Sequence, residues 1–242
     1  MSEATSIVYL IPSLLNDEAT RSIPSYIVDA VKDCQALFVE NERTARRFLK
    51  KISTEIVIDN YEWFVMTDTL TAPAAFKQKI TEGKHIGIIS EAGCPGVADP
   101  GQDLVSVAHE RDVEVKPLIG PNSILLALMA SGMNGQQFQF VGYLPINEHE
   151  RIKAIRELES ESHKKNCTQI FIETPYRNNQ LVESIIKTCK LSTKFCIAVD
   201  LTGKGEWIKT KTIGQWSRQF LSEEKKQIDI HKRPAIFLLL AS

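Results

Sequence analysis

The chain has 242 residues, of which 43% are apolar and 24% are charged, so it is long enough for one large or two modest domains with a buried core. Its 29 basic and 30 acidic residues give a net charge of −1, which excludes a globally basic protein and leaves only a local surface for a nucleic acid. The cysteines number 5, with no C-x-x-C spacing, and indicate reduced thiols in a cytoplasmic protein rather than disulfides or a zinc site.

In the first half of the chain, apolar runs rich in β-branched residues alternate with helical patterns. The predicted strands are 6–12, 36–39, 55–58, 85–90 and 113–118, and the predicted helices lie near 23–33, 43–51, 72–82 and 101–110. Several of these strands are apolar on both faces, as in a parallel sheet covered by helices. The first run has no basic region before it, so it is predicted to be a strand and not a signal peptide.

The second half mixes strand and helix patterns differently. Its predicted strands are 137–145, 167–173, 194–201, 206–213 and 234–241, and its predicted helices begin near 123, 147, 176 and 214. The turn L-T-G-K-G-E-W predicts a hairpin between adjacent strands, so this sheet should contain antiparallel as well as parallel pairs. The sequence therefore predicts two α/β domains, 1–118 and 119–242. The longest apolar run, A-I-F-L-L-L-A, is too short to span a membrane.

One loop combines flexible and rigid residues to an unusual degree. It is I-S-E-A-G-C-P-G-V-A-D-P-G, residues Ile89–Gly101, and it follows a predicted buried strand. Gly93 and Gly96 can adopt positive φ, whereas the prolines fix the chain. Asp99 is predicted to be the N-cap of the next helix, with Pro100 at the first helical position. The loop is either a tight structural turn or a backbone site for a small polar ligand, since ligands of open α/β sheets bind beyond the carboxyl ends of strands.

A second turn, G-P-N-S at 120–123, precedes an apolar helix. It is either a linker between domains with an ordinary helix cap, or a helix N-terminus that can receive a carboxylate. Other enzyme classes lack their motifs here, because the sequence contains neither the G-K-[ST] of a P-loop nor the G-x-S-x-G of a hydrolase.

Several of these segments together resemble a known family. S-E-A-G-C-P-G-V-A-D-P-G is similar to S-D-A-G-T-P-G-I-S-D-P-G, and residues 120–145 are similar to a run with G-P-S-A, A-S-G-L and F-L-P. V-E-N-E-R-T-A-R-R-F-L-K, I-F-I-E-T-P-Y-R and V-D-L-T-G-K-G-E-W resemble further motifs in the same order. The family is the tetrapyrrole methylase superfamily of S-adenosylmethionine-dependent methyltransferases, and the similarity is greatest to its bacterial 16S ribosomal RNA cytidine 2′-O-methyltransferase branch.

The resemblance implies two α/β domains, with S-adenosylmethionine in the cleft between them, no metal, and a homodimer. It also implies a set of cofactor contacts: Leu15, Glu91, Ala92, Gly93, Cys94, Val97, Ser123, Ile124, Glu173, Thr174, Pro234 and Ala235. The expected partner class, ribosomal RNA or the small ribosomal subunit, follows from the same resemblance, and so does a cytoplasmic location.

A ribose hydroxyl is a weak nucleophile at neutral pH, so a nearby base would assist its methylation. Glu40 and Glu91 are the candidate catalytic carboxylates, and Glu91 alternatively binds the ammonium group of the cofactor.

A basic segment provides the candidate RNA surface. Arg43, Arg46, Arg47 and Lys50 follow the i, i+3, i+4, i+7 spacing of one helix face, which either binds phosphates or is simply solvated.

The substrate motifs depart from the family more than the cofactor motifs do. The first-strand loop is P-S-L-L-N-D, residues 12–17, where the family has P-T-P-I-G-N-L. The substrate could therefore instead be a tetrapyrrole, another small molecule or a protein side chain, and a non-catalytic cofactor- or RNA-binding module is the third alternative.

Overall fold

The computed structural model describes residues 6–221 and 229–241, and the chain divides into two compact units between Asn122 and Ser123. None of the helices in these described parts is long and apolar enough to cross a bilayer.

The first unit is built on a sheet of 5 strands. Its strands are β1 (Ile7–Ile11), β2 (Ala36–Val39), β3 (Glu62–Val65), β4 (Ile86–Ile89) and β5 (Glu114–Pro117). Its α-helices are α1 (Tyr26–Asp33), α2 (Glu42–Ile52), α3 (Ala72–Thr81) and α4 (Gln102–Glu110), and 3-10 turns occupy Thr20–Ser22 and Ile58–Asn60. The order is β3-β2-β4-β1-β5 with parallel pairing throughout, so the loops after β1, β2, β4 and β5 leave the sheet at one edge.

The central strands of this sheet are buried on both faces. In β2, Leu37 packs into one apolar cluster and Phe38 packs into the other, where it stacks on Phe64 at 4.7 Å between ring centroids. Because strand side chains alternate between faces, a continuous apolar run is what a strand covered on both sides requires.

The strand predicted at 55–58 is wrong. Ile56 and Ile58 are buried in the apolar cluster, but the backbone there forms a loop and a 3-10 turn. The edge strand is β3, in which Glu62 lies opposite Ala36 of β2. Alternating apolar residues report which side chains are buried, and a loop packed on the core shows the same alternation as a strand.

The second unit contains a mixed sheet of 5 strands. Its strands are β6 (Phe138–Tyr143), β7 (Thr168–Ile172), β8 (Lys194–Val199), β9 (Trp207–Thr212) and β10 (Ala235–Leu240), and its helices are α5 (Ser123–Ser131), α6 (Glu148–Lys165), α7 (Asn178–Thr188) and α8 (Ile213–Leu221). The order is β6-β7-β10-β8-β9, with β6 and β7 parallel and the other pairs antiparallel. The predicted hairpin between β8 and β9 and the predicted α/β class of both halves are confirmed.

The core of the second unit forms around β10. Phe237 stacks on Phe171 of β7 and on Phe195 of β8, with ring centroids 5.9 and 6.1 Å apart. Trp207 packs against the fully buried Trp216, with ring centroids 6.2 Å apart. It is a partly buried member of the core cluster of this unit.

Candidate functional site

The glycine-proline loop after β4 has a strained, sharply bent backbone. Within it, Gly93, Gly96, Ala98 and Gly101 have φ of 81, 77, 63 and 122°. Glycine adopts positive φ freely, whereas alanine does so only where the surrounding structure imposes it. The loop between Ser90 and Gly101 is therefore held in one shape by its neighbours and is not merely flexible.

The loop after β1 holds one side of the glycine-proline loop in place. The Ser13 and Gly93 backbones exchange hydrogen bonds, 2.8 Å from Ser13 N to Gly93 O and 3.3 Å in the other direction. A Cβ added to Gly93 would lie 3.3 Å from the Leu15 side chain and 3.5 Å from the Pro121 carbonyl oxygen, but one added to Gly96 would meet nothing within 4 Å. Gly93 is thus favoured by its left-handed φ and by tight packing against Leu15, and Gly96 faces open space where a ligand can approach.

The loop after β5 approaches from the other side. The Cys94 thiol lies 3.6 Å from the Pro121 carbonyl oxygen and donates a hydrogen bond to it. Burial, opposed in part by Asn122, raises the pKa of Cys94, and the charge of Asp99 adds to the rise. Cys94 therefore stays a neutral thiol and is not a nucleophile near neutral pH.

The predicted cap of α4 is wrong. The N-cap is Gly101, which has no side-chain cap hydrogen bond, and α4 begins only at Gln102, so Pro100 lies outside the helix. The left-handed Gly101 separates Asp99 from the helix, and the Asp99 side chain interacts instead with the Ser90 hydroxyl, near the negative charges of Glu40 and Glu91.

Three carboxylates occupy this edge of the sheet. The Glu91 backbone N–H donates to Glu40 Oε2 at 2.9 Å, and the Thr44 hydroxyl donates to Glu91 Oε1 at 3.3 Å. Burial and then the charge of Glu40 raise the pKa of Asp99 to about 6; the Ser90 hydroxyl opposes this rise and Glu91 adds to it. The two predicted carboxylates therefore have a third neighbour, which sequence reasoning missed because Asp99 was interpreted as a helix cap.

Two buried hydroxyls lie at the same edge. Ser13 follows β1 and is 2% exposed, and Ser90 follows β4 and is 3% exposed. The Ser90 hydroxyl interacts with the Asp99 side chain, whereas the Ser13 hydroxyl has no hydrogen-bond partner within the described residues. Buried polar groups are normally satisfied, so the unsatisfied Ser13 hydroxyl beside a bent backbone loop is consistent with a polar ligand there.

The remaining predicted residues of this loop are accessible. Glu91, Ala92 and Val97 are exposed, Val97 by 45%. Leu15, Glu91, Ala92, Gly93, Cys94 and Val97 therefore lie on, or pack against, one loop of the first unit.

In the second unit the structure brings four predicted residues together. Because β10 runs antiparallel to β7 and β8, its start at Pro234–Ala235 lies beside the end of β7, where Glu173–Thr174 follow. Glu173 Oε1 accepts hydrogen bonds from the Thr174 N–H and from Arg177 Nη2, each at 2.6 Å. Its side chain is 1% exposed, so this carboxylate is an internal ion-pair partner.

Asp200, which follows β8, contacts the Arg233–Pro234 segment from the side opposite β7. Arg233 Nε lies 2.7 Å from Asp200 Oδ2, and the Asp200 N–H donates to the Pro234 carbonyl oxygen at 3.0 Å. Asp200 is thus the ion-pair partner of Arg233. Ser123 and Ile124 begin α5, which packs on β9 and β10, and Ile124 is buried.

The basic face of α2 is only partly free. Arg43, Arg47 and Lys50 are exposed. Arg46 instead pairs with Glu42 at 2.8 Å and lies 4.6 Å from the ring centroid of Trp63. The Asn41 side chain caps the helix by accepting from the Arg43 and Thr44 N–H groups.

Among the described residues, no group of three metal-ligating side chains could hold a metal ion.

The fold is that of the tetrapyrrole methyltransferases. The solved structure of the methyltransferase CobJ matches 98% of this chain and 94% of its own at a TM-score of 0.61 and 15% identity. Uroporphyrin III C-methyltransferase from Thermus thermophilus matches 97% of each chain at a TM-score of 0.56 and 12% identity.

In sequence, the chain is similar to ribosomal RNA small subunit methyltransferase I, as the motif resemblance predicted. The Buchnera aphidicola relative is 27% identical over 231 residues, 92% of this chain and 76% of the relative. The Escherichia coli O157:H7 relative is 33% identical over 137 residues, 57% of this chain. The alignments span 53% of the Halalkalibacterium halodurans relative and 46% of the E. coli one. No family model matches the sequence.

Proposed function

We propose that the chain is an S-adenosylmethionine-dependent methyltransferase that methylates a ribose 2′-oxygen of small-subunit ribosomal RNA. The observation that supports this most strongly is the similarity to ribosomal RNA small subunit methyltransferase I, which in one relative extends over 92% of the chain. The bent loop after β4, where that similarity includes the S-E-A-G-C-P-G-V-A-D-P-G motif, is the part of the site that the structure describes in most detail.

The residues at this loop fit the cofactor. Gly96 leaves open space for close approach, and the unsatisfied hydroxyl of Ser13 can hydrogen-bond to a polar group of a ligand. Leu15, Ala92, Gly93, Cys94 and Val97 would hold it in the first unit. The proposed contribution of the second unit is Ser123, Ile124, Glu173, Thr174, Pro234 and Ala235. Since Glu173 is already paired with Arg177, its part would be to fix the backbone of Thr174.

When bound, S-adenosylmethionine supplies an activated methyl group, so the protein has to position the acceptor oxygen, exclude water and remove a proton. A stiff loop suits positioning, because its left-handed residues are fixed by the loops on either side. Glu40 and Glu91 are the candidates for accepting the ribose proton or for binding the ammonium group. Arg43, Arg47 and Lys50 form the proposed phosphate-binding face.

A tetrapyrrole substrate is the second candidate function, because the structural neighbours include uroporphyrin III C-methyltransferase. That likeness is at 12% identity and concerns the fold. The sequence similarity and the exposed arginines of α2 favour RNA.

Transfer of a tritiated methyl group distinguishes an RNA substrate from a tetrapyrrole substrate. We expect label in RNA when the protein is incubated with small ribosomal subunits from cells that lack its gene, and none with subunits from cells that have it. Label in uroporphyrinogen, with none in RNA, would replace the proposed substrate. The absence of label from both would contradict methyl transfer to either class.

A further inference from the structure

Two segments of the second unit meet near the end of β7 and present an aromatic ring and a cation together. Tyr176, in the loop between β7 and α7, is 68% exposed. The Lys232 ammonium group lies 5.8 Å from the centroid of its ring, and the rings of Tyr176 and His231 are 5.7 Å apart at an interplanar angle of 77°. His231 and Lys232 are exposed as well. These three residues are called the aromatic-basic surface below.

Hydrogen bonds between the two segments fix the backbone beneath the aromatic-basic surface. The Lys232 N–H donates to the Pro175 carbonyl oxygen at 2.9 Å. The fully buried Asn178 side chain donates through Nδ2 to the Arg233 carbonyl oxygen at 2.7 Å and to that of Ile230 at 3.3 Å. Lys232 has a φ of 62°, a left-handed conformation that lysine adopts only where the surrounding structure imposes it. Because the ring and the cation are carried on a fixed backbone, ordering them on a ligand costs less entropy.

The charge of Lys232 is available to a ligand. The carboxylate nearest to it in sequence, Asp229, accepts hydrogen bonds from the Asn179 side chain and the His231 N–H, each at 3.0 Å. Within the described residues Lys232 forms no salt bridge, and its ammonium group contacts only the ring of Tyr176. The aromatic-basic surface therefore presents a positive charge beside an exposed ring, which suits an anionic ligand that also has an aromatic part.

A second exposed tyrosine lies at the neighbouring strand end. β6 and β7 are parallel, and Tyr143 at the end of β6 lies opposite Ile172 at the end of β7. Tyr143 is 61% exposed and interacts electrostatically with Arg177. Exposed aromatic rings beside cations are the combination with which proteins bind single-stranded nucleic acids, because a base stacks on the ring while the cation binds the phosphate backbone.

We propose that Tyr176 and Lys232 bind an unpaired nucleotide of the RNA substrate, with the base stacked on the tyrosine ring and a phosphate at the lysine ammonium group. A base inside a duplex has both faces covered by its neighbours, so the surface selects single-stranded RNA. The inference rests on the proposed function for RNA as the partner. It goes beyond that function by assigning an RNA contact to the second unit, in addition to the basic face of α2 in the first.

The fluorescence of a short single-stranded RNA, in which 2-aminopurine is flanked by uridines, tests this contact without cofactor or methyl transfer. Stacking of the 2-aminopurine base on a tyrosine ring quenches its emission. Tyr176→Ala should raise the dissociation constant about tenfold and remove most of the quenching, whereas Tyr176→Phe keeps the ring and should retain both the affinity and the quenching. Lys232→Ala should reduce the slope of log affinity against log salt by about 0.7, the value for one phosphate of a single strand.

Two exposed residues at the opposite end of the same sheet provide matched controls. Phe138 begins β6 and is 43% exposed, and Lys194 begins β8 and is exposed. Phe138→Ala and Lys194→Ala should leave the affinity, the quenching and the salt slope unchanged. Losses as large as those of Tyr176→Ala and Lys232→Ala would show that the RNA binds without preference for the aromatic-basic surface, and the proposal would be wrong.

The outcomes separate this inference from the proposed function. If the wild type methylates RNA, but Tyr176→Ala is folded by circular dichroism and still binds and quenches the probe, the nucleotide site is wrong and the methyltransferase stands. Binding of the RNA without quenching, or equally tight binding of a polyglutamate peptide, would also overturn the nucleotide site. Quenching that depends on Tyr176, in a protein that transfers no methyl group to RNA, would contradict the proposed function and leave the site in place.

Discussion

Glu173 shows what a single buried residue contributes to the second unit. Its carboxylate is 1% exposed and is compensated by Arg177 at 2.6 Å, in the i, i+4 position. Removing one partner of a buried pair leaves an uncompensated charge, which is far more costly than losing an exposed pair.

We expect Arg177→Met to lower the free energy of unfolding by more than the loss of an exposed ion pair does, because it leaves the buried Glu173 carboxylate without its partner. Urea denaturation measures this. The double variant Glu173→Gln/Arg177→Met should recover much of the loss, because it leaves no charge unpaired. Lys187→Met, which removes an exposed i, i+4 pair with Glu183, is the control and should change stability by about 0.5 kcal/mol or less. A small effect of Arg177→Met would mean that Glu173 reaches solvent.

The raised pKa of Asp99 predicts that the free energy of unfolding depends on pH. Its folded pKa of about 6 lies above the ordinary value of 3.8, so protonation favours the folded state and this stability is lost as the pH rises towards 6 and above. The Asp99→Asn variant has no titratable carboxyl at this position. After allowance for its partial exposure, the wild type should lose about 1 kcal/mol relative to the variant between pH 5 and pH 7.5.

Thermal or urea unfolding of both proteins across that pH range provides the test. A stability difference that does not vary with pH would show that Asp99 titrates as an exposed carboxylate does.

At the scale of elements, α2 combines a structural and an accessible arginine on what the sequence presents as one face. Arg46 is engaged by Glu42 and Trp63, whereas Arg43 and Arg47 are exposed. Helical spacing places residues on a face, but whether a neighbouring element covers part of that face depends on packing that spacing does not specify.

Charge reversal of the exposed pair, Arg43→Glu/Arg47→Glu, should weaken binding to small-subunit RNA and reduce the slope of log affinity against log salt by about 2. The control Lys77→Glu/Lys164→Glu makes the same change in net charge at exposed positions elsewhere. Filter binding at several salt concentrations measures the affinity and the salt slope of both variants. Equal losses in the two variants would show that only net charge matters and that α2 is not the RNA surface.

Most elements of both sheets were predictable from sequence, because buried strands such as β4 and β10 are short apolar runs bounded by turn residues. The prediction failed where tertiary packing decides. The 55–58 segment is buried without pairing, and β3 contains a glutamate because it is an edge strand.

For the candidate site, the motifs located the bent loop, but they could not show that Gly101 turns Asp99 away from the helix. The unsatisfied state of the Ser13 hydroxyl likewise depends on neighbours distant in sequence. The local sequence around Ser13 resembles that of any strand end.

The whole molecule combines a fold shared with tetrapyrrole methyltransferases and a sequence similar to a ribosomal RNA methyltransferase. The fold alone does not choose a substrate, since one fold supports different chemistries through its loops. The choice of RNA therefore depends on the sequence similarity and on the exposed basic residues of the first unit.

The most direct test of the proposed function is mass spectrometry of the nucleosides in small-subunit ribosomal RNA, compared between cells with and without the gene. We predict that one 2′-O-methylated nucleoside disappears on deletion and returns when the wild-type chain is supplied. Identical nucleoside profiles in the two strains would contradict methylation of this RNA by the chain.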